Sequence, residues 1–310
     1  MWASVVNQIH PGNGVDAEIS KMLPTMHNQV PRSKAPPTPT TLADTQEKEE
    51  HKRRNTKRGS LARSWLNADV DDSIFLDLEL LVLTFSIGMQ DVSTFLDYRC
   101  FASNQTGNSV LLATGIVGLG DQLFEVGNVG TSLAAFVAGG FCAGQTGNFL
   151  VDGGVLRKRW WLVFSSVVQT AMVFGAWALQ YRQPIHADGV AMMVIALLAF
   201  SSGAQVAMAR GLRITEITTA MATAAWVDII VDPELWTRKN KGRNRRMAFL
   251  ISLISGAFVG AWAYRSMGSA FVLLVSAIGK IIVTAALLIN DVLVITCEDD
   301  LDSQACGEEV

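Results

Sequence analysis

Gln90 and Asp91 lie inside an apolar stretch of the chain that also contains Phe85. Amide and carboxylate groups are costly at membrane depth, so they usually have partners and mark a function. A carboxylate there could bind a cation, relay a proton or hold a polar solute, and it stays ionised only with a hydrogen-bonding or cationic partner. The alternative is an interfacial residue that fastens the start of a loop, because Asp97 follows closely.

A polar elbow, Asn104-Gln105-Thr106-Gly107-Asn108, follows this stretch. Its amides and hydroxyl suit a short helix whose N-terminal N–H groups face a ligand, and Gly107 permits a positive φ or a close backbone approach. The simpler interpretation is that Thr106 or Asn108 only caps a helix, and both can hold together. The letters QTGN recur at 145–148, at the end of a long apolar segment, where we interpret them as helix termination.

Other polar residues in apolar segments are candidates for the same site. Thr219 and Thr223 are four residues apart, which predicts a shared helical face, although membrane threonines commonly bond their own backbone or a neighbouring helix. Lys280 could be a counter-ion to Asp91 or Asp228, a substrate contact or a snorkelling side chain. The predicted solute- or ion-binding residues are Gln90, Asp91, Asn104, Gln105, Thr106, Gly107, Asn108, Gln205, Thr219, Thr223, Asp228 and Lys280.

No catalytic or cofactor signature accompanies these residues. The four histidines lie in the polar N-terminal part or in a loop, which argues against a Ser-His-Asp triad or a histidine metal site. The four cysteines lack metal-ligand spacing, and neither a P-loop nor a dinucleotide fingerprint is present. We therefore expect no enzyme, no cofactor and no metal.

Half of the 310 residues are hydrophobic, 17% are charged and the mean hydropathy is +0.29. This composition is too apolar for an ordinary soluble domain and predicts an all-α protein that crosses a lipid bilayer several times. The basic clusters adjoin apolar segments, so they indicate membrane topology and not a nucleic-acid surface. Small-residue helix faces allow close helix packing and make a homo-oligomer a further expectation.

The apolar segments divide into six long ones and two short ones, which predicts six full spans and two half-helices. Residues 1–68 predict a disordered tail, 69–297 the membrane domain and 298–310 a short acidic tail. The long segments are 74–96, 129–151, 160–180, 189–209, 247–264 and 269–295, and the short ones, rich in Thr, Gly and Ala, are 106–119 and 217–231.

The distribution of positive charge tests whether the short segments cross the membrane. Lys52–Arg63 precedes the first span, which places this part of the chain in the cytoplasm. If both short segments cross, Arg157–Arg159 falls outside. If both re-enter, Arg157–Arg159 and Arg238–Arg246 fall inside together. The re-entrant arrangement fits the charges better and predicts two cytoplasmic termini.

A weak internal repeat supports that arrangement. FSIGMQ at 85–90 is similar to FSSGAQ at 200–205, and a Thr-bearing short segment follows in both places. With six crossings the two copies run in opposite directions, so each half would contain three spans and one half-helix. Paired short segments in two halves indicate a transporter binding site. Chance similarity between two Gly-rich helices is the alternative.

The segment SIGMQDVSTF…CFASNQTGNSVLL resembles the signature of the domain-of-unknown-function 1275 family, the YoaK-like membrane proteins. The run ALLAFSSGAQVAMARGLRITEITTAMATAAWVDIIVDP resembles the second signature of that family, and DYRCFASNQTGN is most similar to its fungal branch. The resemblance covers roughly residues 72–296. The family motif falls on Asp91, Thr106, Gly107, Asn108, Gln205, Thr219, Thr223 and Asp228, whereas Thr218, Ala222 and Ala224 depart from it. The resemblance implies a membrane fold and no established activity.

These observations predict a secondary transporter or channel-like carrier of a small polar solute or ion. The alternative is a membrane scaffold or accessory subunit without transport, and a membrane-embedded enzyme comes third. A cavity that reaches Asp91 favours transport, and Asp91 sealed against Arg or Lys favours the scaffold. An acid and a base around a lipid-sized groove would favour the enzyme.

Overall fold

The computed structural model describes residues 48, 52, 65–70, 72–119, 123–149, 155–182 and 189–305, and of residues 155 and 290–305 it gives the backbone alone. Contacts between residues divide the chain into two units, Met1–Thr56 and Lys57–Val310. Every helix named below belongs to the second unit. Most of the segment 1–68, which the sequence predicts as a disordered tail, lies outside the described residues.

The described part of the second unit is all-helical, which confirms the predicted fold class. The short segments appear as α2 and α6, and α8 continues beyond the boundary predicted at 297. The helices are α1 (Ile74–Tyr98), α2 (Gln105–Ile116), α3 (Val126–Phe149), α4 (Arg159–Arg182), α5 (Val190–Gly211), α6 (Ala222–Ile230), α7 (Lys241–Met267) and α8 (Ser269–Ala305).

Five helices are long and apolar enough to cross a membrane: α3, α4, α5, α7 and the Ser269–Ile289 part of α8. The chain is therefore a multi-pass membrane protein of the helical type. α1 is 25 residues long but carries acidic residues along its length, and it is not among the five. The count of six full spans stays a prediction.

α1 is packed at the centre of the bundle against α7 and α8. Leu76, Leu80, Leu83 and Ile87 recur at helical spacing and are all buried, so one apolar stripe faces the neighbouring helices. Ser73 caps the helix by accepting a hydrogen bond from the N–H of Leu76, which fixes where α1 begins.

One end of the bundle, which we call the basic end, collects the start of α1, the α3–α4 connection and the start of α7. Val70 donates its N–H to the carbonyl oxygen of Arg157 (3.0 Å), so residues 65–70 pack on that connection although the sequence placed most of them in the tail. Arg245 of α7 pairs with Asp77 of α1 at 2.8 Å. The basic residues Arg157–Arg159 and Arg238–Arg246 therefore lie at the same end of the bundle.

The opposite end, which we call the distal end, joins the end of α1 to α4, α7 and α8. Asp97 accepts hydrogen bonds from Gln180 of α4 and from the hydroxyl of Tyr264 of α7 (2.7 Å). Gln180 also donates to Ser269 at the start of α8 (2.6 Å). Helices α1, α4 and α7 thus run from the basic end to the distal end, and α3, α5 and α8 run back.

Each short helix returns the chain to the end of the bundle from which it came. α2 connects the distal end of α1 to the start of α3, where Gly127 lies beside Met192 at the start of α5. α6 connects the end of α5, where Gly211 lies beside Leu156, to the start of α7. This arrangement agrees with the re-entrant alternative, which the positive charges favoured.

α1 and α7 cross at two glycines. A Cβ atom at Gly88 would overlap the carbonyl oxygen of Leu253, and one at Gly256 would overlap the carbonyl oxygen of Phe85. The two backbones can approach this closely only because neither position carries a side chain. The crossing therefore fixes the position of Gln90 and Asp91, which follow Gly88 on α1.

α5 and α3 cross in the same way. A Cβ atom at Gly203 would overlap the carbonyl oxygen of Phe136, and one at Gly139 would overlap the carbonyl oxygen of Phe200. In both crossings the overlapped carbonyl lies three residues before the glycine on each helix. The similar hexapeptides 85–90 and 200–205 therefore make equivalent backbone contacts.

Candidate functional site

A cavity of about 580 Å³ lies among α1, α2, α3, α5, α6 and α7. Both short helices begin at its wall: α2 contributes Gln105 and Thr106, and α6 contributes Ala222 and Thr223. Asp91 of α1 also lines it. Residues that are far apart in the sequence are thus brought together at one place.

The carboxylate of Asp91 fastens the loop that leads into α2. α1 ends before Arg99, whose left-handed backbone (φ 54°) turns the chain back toward the bundle. Ser103 donates its N–H to Oδ1 of Asp91 (2.8 Å) and its hydroxyl to Oδ2 (2.5 Å). The ring of Phe101 stacks on Phe95 with 5.0 Å between centroids. The loop therefore reaches the level of Asp91 before α2 begins.

Asn104 and Asn108 hold the start of α2. Asn104 accepts a hydrogen bond from the N–H of Gly107 (3.2 Å) and is the helix cap, whereas the sequence suggested Thr106 or Asn108. Asn108 is fully buried: its Oδ1 accepts from the N–H of Phe101 (2.9 Å), and its Nδ2 donates to the carbonyl oxygen of Phe101 (2.8 Å). The elbow is thus a folded unit held by its own amides.

Before α6, the hydroxyl of Thr218 accepts a hydrogen bond from the N–H of Met221 (3.2 Å), but α6 is not capped in the way that α2 is. Its capping residue, Met221, makes no side-chain hydrogen bond to the helix. Thr219 precedes the helix with a left-handed backbone (φ 60°), so Thr219 and Thr223 do not share a helical face and that prediction is wrong. The reason is that residues before Ala222 leave the helical conformation, which side-chain spacing does not reveal. Thr223 reaches the cavity and Thr219 is buried outside its lining.

Asp228 lies away from the cavity. Its carboxylate is 3.4 Å from Arg246 of α7, and its side chain is 51% exposed. It therefore belongs to the basic end of the bundle, where it pairs with the cluster that follows it in sequence. The structure does not bring it together with Asp91.

Lys280 is buried in the bundle with 1% exposure, outside the cavity lining. Its ammonium donates to Oε1 of Gln205 (2.5 Å) and to Oε1 of Gln169 (3.2 Å). The alternative that made Lys280 a counter-ion to Asp91 or Asp228 is therefore wrong, because two neutral amide oxygens accept from it instead. Gln205 is likewise turned to Lys280 and away from the cavity.

Gln90 is also buried outside the lining, where its Nε2 donates to the hydroxyl of Ser276 (2.7 Å). Sequence reasoning missed Ser276 and Gln169 as partners and Ser103 as the residue that binds Asp91. The first two are polar residues in the middle of long apolar segments, the same signal that marked Gln205. Ser103 carried no such signal, because its role depends on the loop turning back.

The cavity lining combines one carboxylate with neutral polar and apolar side chains. Among the described residues that line it, Asp91 is the one with an ionisable side chain. The searched residues contain no group of three or more His, Cys, Asp or Glu that could hold a metal ion. The arrangement offers a carboxylate, amides and hydroxyls on the wall formed by α1 and the start of α2, and mainly carbon, with the hydroxyl of Thr223, on the others.

The sequence model of a family described as "protein of unknown function (DUF1275)" matches residues 80–286. The chain belongs to the DUF1275 family. The match runs from α1 into α8 and includes both short helices, so the cavity lies within the DUF1275 region. No curated protein and no solved structure matches the chain.

Proposed function

We propose that this DUF1275 protein carries a small polar solute or ion across a membrane through the cavity. The observation that carries the proposal is that Asp91 lines the cavity at the point where two short helices begin. Its carboxylate is bound by Ser103 and not sealed against a lysine or arginine of the described chain. Short helices that begin at a shared site inside the membrane are a feature of secondary transporters.

The proposal includes an inverted internal repeat of α1–α4 and α5–α8. Support comes from the two glycine crossings, which have the same spacing, and from the opposite directions of α1 and α5. Ser86 and Ser201, at equivalent positions, donate their hydroxyls to carbonyl oxygens of Ser276 on α8 (3.4 Å) and Gln169 on α4 (3.3 Å). α1 packs on α7 and α8, as α5 packs on α3 and α4.

Two groups of helices flank the cavity in this proposal. α1, α6 and α7 pack together on one side, and α2, α3 and α5 on the other. The glycine crossings hold each group together, so alternating access is the rocking of one group against the other. The hydrogen bonds from Ser103 to Asp91 join the two groups, and their release is the step that we assign to solute binding.

The orientation follows from the positive charge at the basic end, which we place in the cytoplasm together with both termini. A single cysteine at Lys158, in a chain lacking the native cysteines, tests this placement. Labelling by a membrane-impermeant reagent from the cytoplasmic side alone supports it. Labelling from the outer side alone reverses the orientation.

A scaffold without transport is the second candidate, and one observation favours it: both oxygens of Asp91 accept hydrogen bonds from Ser103. In that case Asp91 only fastens the loop. An enzyme is not expected, because the described lining offers one ionisable side chain and no acid–base pair.

Asp91→Asn separates these two functions. Asparagine keeps an acceptor for the N–H of Ser103 and removes the charge, so the loop stays fastened. We expect proteoliposomes with the wild-type chain to accumulate at least one solute from a mixture of small polar metabolites, measured by mass spectrometry. Asp91→Asn should reduce this uptake to that of protein-free liposomes without lowering Tm.

Asp97→Asn is the matched control, because it makes the same change on the same helix outside the cavity. Uptake by this variant should remain. Uptake that survives Asp91→Asn would remove Asp91 from the mechanism, and a wild-type chain that accumulates nothing would favour the scaffold.

A further inference from the structure

We propose that the solute is a small organic cation, a primary amine with an apolar body, whose ammonium binds the carboxylate of Asp91. This inference rests on the proposed function and names its substrate class. Among the described residues that line the cavity, Asp91 supplies the one charge, and none of them is a lysine, arginine or histidine. A binding site with a single carboxylate selects a positive charge.

Two basic side chains of the helices around the cavity, those of Lys280 and Arg210, have other partners. The ammonium of Lys280 donates hydrogen bonds to Gln169 and Gln205. Arg210 is solvent-exposed and contacts the sulfur of Met221 at the rim of the cavity (3.0 Å). Neither neutralises Asp91, which leaves its charge for a ligand.

The carboxylate retains capacity for an ammonium. Ser103 donates one hydrogen bond to each oxygen of Asp91. The backbone N–H of Ala102 adds a further hydrogen bond to Asp91. An ionised carboxylate offers about four lone-pair sites, so these bonds leave an acceptor position open. An ammonium that binds there also competes with the hydroxyl of Ser103, and this competition loosens the loop before α2.

Three aromatic rings line the same cavity as Asp91. Phe95, Phe101 and Phe136 all line the cavity. The face of a phenyl ring attracts a cation with about 0.5–2 kcal/mol, depending on how far the cation is desolvated. A hard inorganic cation is disfavoured, because such an ion takes six or more oxygen ligands and these walls are mainly carbon.

The remaining lining accepts an apolar body. Val206, Leu253, Ala257 and Ala261 face the cavity from α5 and α7. Most of the polar groups lie on the wall formed by α1, the loop and the start of α2, and α6 adds the hydroxyl of Thr223. A volume of about 580 Å³ lies within the range of small-molecule pockets and holds an amine with one ring.

Thermal unfolding of the purified full-length chain with three matched probes tests the assignment. Phenethylamine carries the cation, 3-phenylpropionate has a similar body with an anion, and phenylalanine carries both charges. Ligands that bind only the folded state raise Tm by an amount that increases with the ratio of ligand concentration to Kd. We expect phenethylamine at millimolar concentration to raise Tm by a few degrees and 3-phenylpropionate to leave it unchanged.

Variants locate the binding. The shift with phenethylamine should vanish in Asp91→Asn and persist in Asp97→Asn, each measured against its own ligand-free Tm. A shift that survives Asp91→Asn, a shift with 3-phenylpropionate, or no shift with phenethylamine would each overturn the cation assignment. A shift with phenylalanine larger than that with phenethylamine would also overturn it, in favour of a zwitterion. Transport itself is decided by the metabolite uptake, so a failure of this assignment is separate from a failure of the carrier proposal.

Discussion

The two walls of the cavity have equivalent positions in the proposed repeat but different chemistry. The first half places polar side chains at three positions where the second half places apolar ones, and threonine occurs at one position in both halves. The lining pairs are Asp91 and Val206, Asn104 and Met221, Gln105 and Ala222, and Thr106 and Thr223. In the proposed repeat, the two halves therefore line the cavity from equivalent backbone positions, and the first half carries most of the polar side chains.

Gln90 and Gln205, which are buried at equivalent positions of the proposed repeat, also have chemically different partners. Gln90 binds a neutral hydroxyl, that of Ser276, whereas Gln205 binds the ammonium of Lys280. The α1–α7 and α3–α5 crossings make equivalent backbone contacts. Only the glutamine of the second crossing, Gln205, binds a buried cation. Substitutions can therefore test separately what the halves share and where they differ.

Leucine at Gly139 or at Gly256 should have the largest effect, and a similar one in each half. A side chain at either position overlaps a backbone carbonyl of the facing helix, and overpacking of this kind costs about 3 kcal/mol or more. We expect loss of a monodisperse protein in size-exclusion chromatography. Gly144→Leu is the control, because Gly144 has no neighbour within 4 Å of an added Cβ. If Gly139→Leu and Gly256→Leu differed clearly in their effect, the two crossings would not be structurally equivalent.

Gln205→Leu should destabilise the protein more than Gln90→Leu. The first change removes an acceptor from the buried ammonium of Lys280, whereas the second removes a donor from the hydroxyl of Ser276. An unsatisfied charged group costs more than the roughly 1–3 kcal/mol of a neutral one. Reversible unfolding in detergent measures the difference. Lys280→Met should recover stability in the Gln205→Leu background. Additive effects of Gln205→Leu and Lys280→Met would show that the two residues are not coupled.

The starts of the short helices should respond differently to side-chain removal. Asn108→Ala breaks hydrogen bonds that hold the elbow and should cost about 1–3 kcal/mol of unfolding free energy. Thr219→Ala should cost less, because the buried hydroxyl of Thr219 has no hydrogen-bond partner among the described residues. Asn148→Ala, in the exposed second QTGN, is the control. Equal costs for Asn108 and Asn148 would contradict the role of the elbow.

The smallest effect should come from pH at the basic end, where α1 of the first half meets α7 of the second. The hydrogen bond from Arg245, together with one from Lys241, lowers the pKa of Asp72 below its usual value. A carboxylate with a depressed pKa stabilises the folded state above its unfolded pKa, about 3.9, and this contribution is lost as pH falls through the folded pKa. Tm should fall less below pH 4 in Asp72→Asn than in wild type. Identical pH profiles would contradict this ion pair.

Local patterns in the sequence predicted much of this structure. Apolar runs predicted the helical class and both short helices, and a carboxylate in such a run predicted Asp91 at the cavity. The distribution of basic residues favoured the re-entrant arrangement, in which each short helix returns the chain to the side of the membrane from which it came. These signals depend on residues that are near each other in the chain, so they are visible without knowledge of packing.

Long-range contacts and backbone conformation were not predictable in this way. The acceptors of Lys280 come from α4 and α5, and only the packing of three helices brings them together. The left-handed backbone of Thr219 removes it from the helix that side-chain spacing suggested. Asp228 was assigned to the site by resemblance, but its contact with Arg246 places it at the basic end.

The most direct test of the account is the accessibility of the cavity from each side of the membrane. A single cysteine at Thr106, with the native cysteines replaced, is labelled by an impermeant reagent in vesicles of known orientation. A carrier predicts labelling from either side, because the cavity opens alternately to both. A cysteine at Thr146, in the second QTGN, should be labelled from one side only. Labelling of Thr106→Cys from a single side, or from neither, would contradict alternating access.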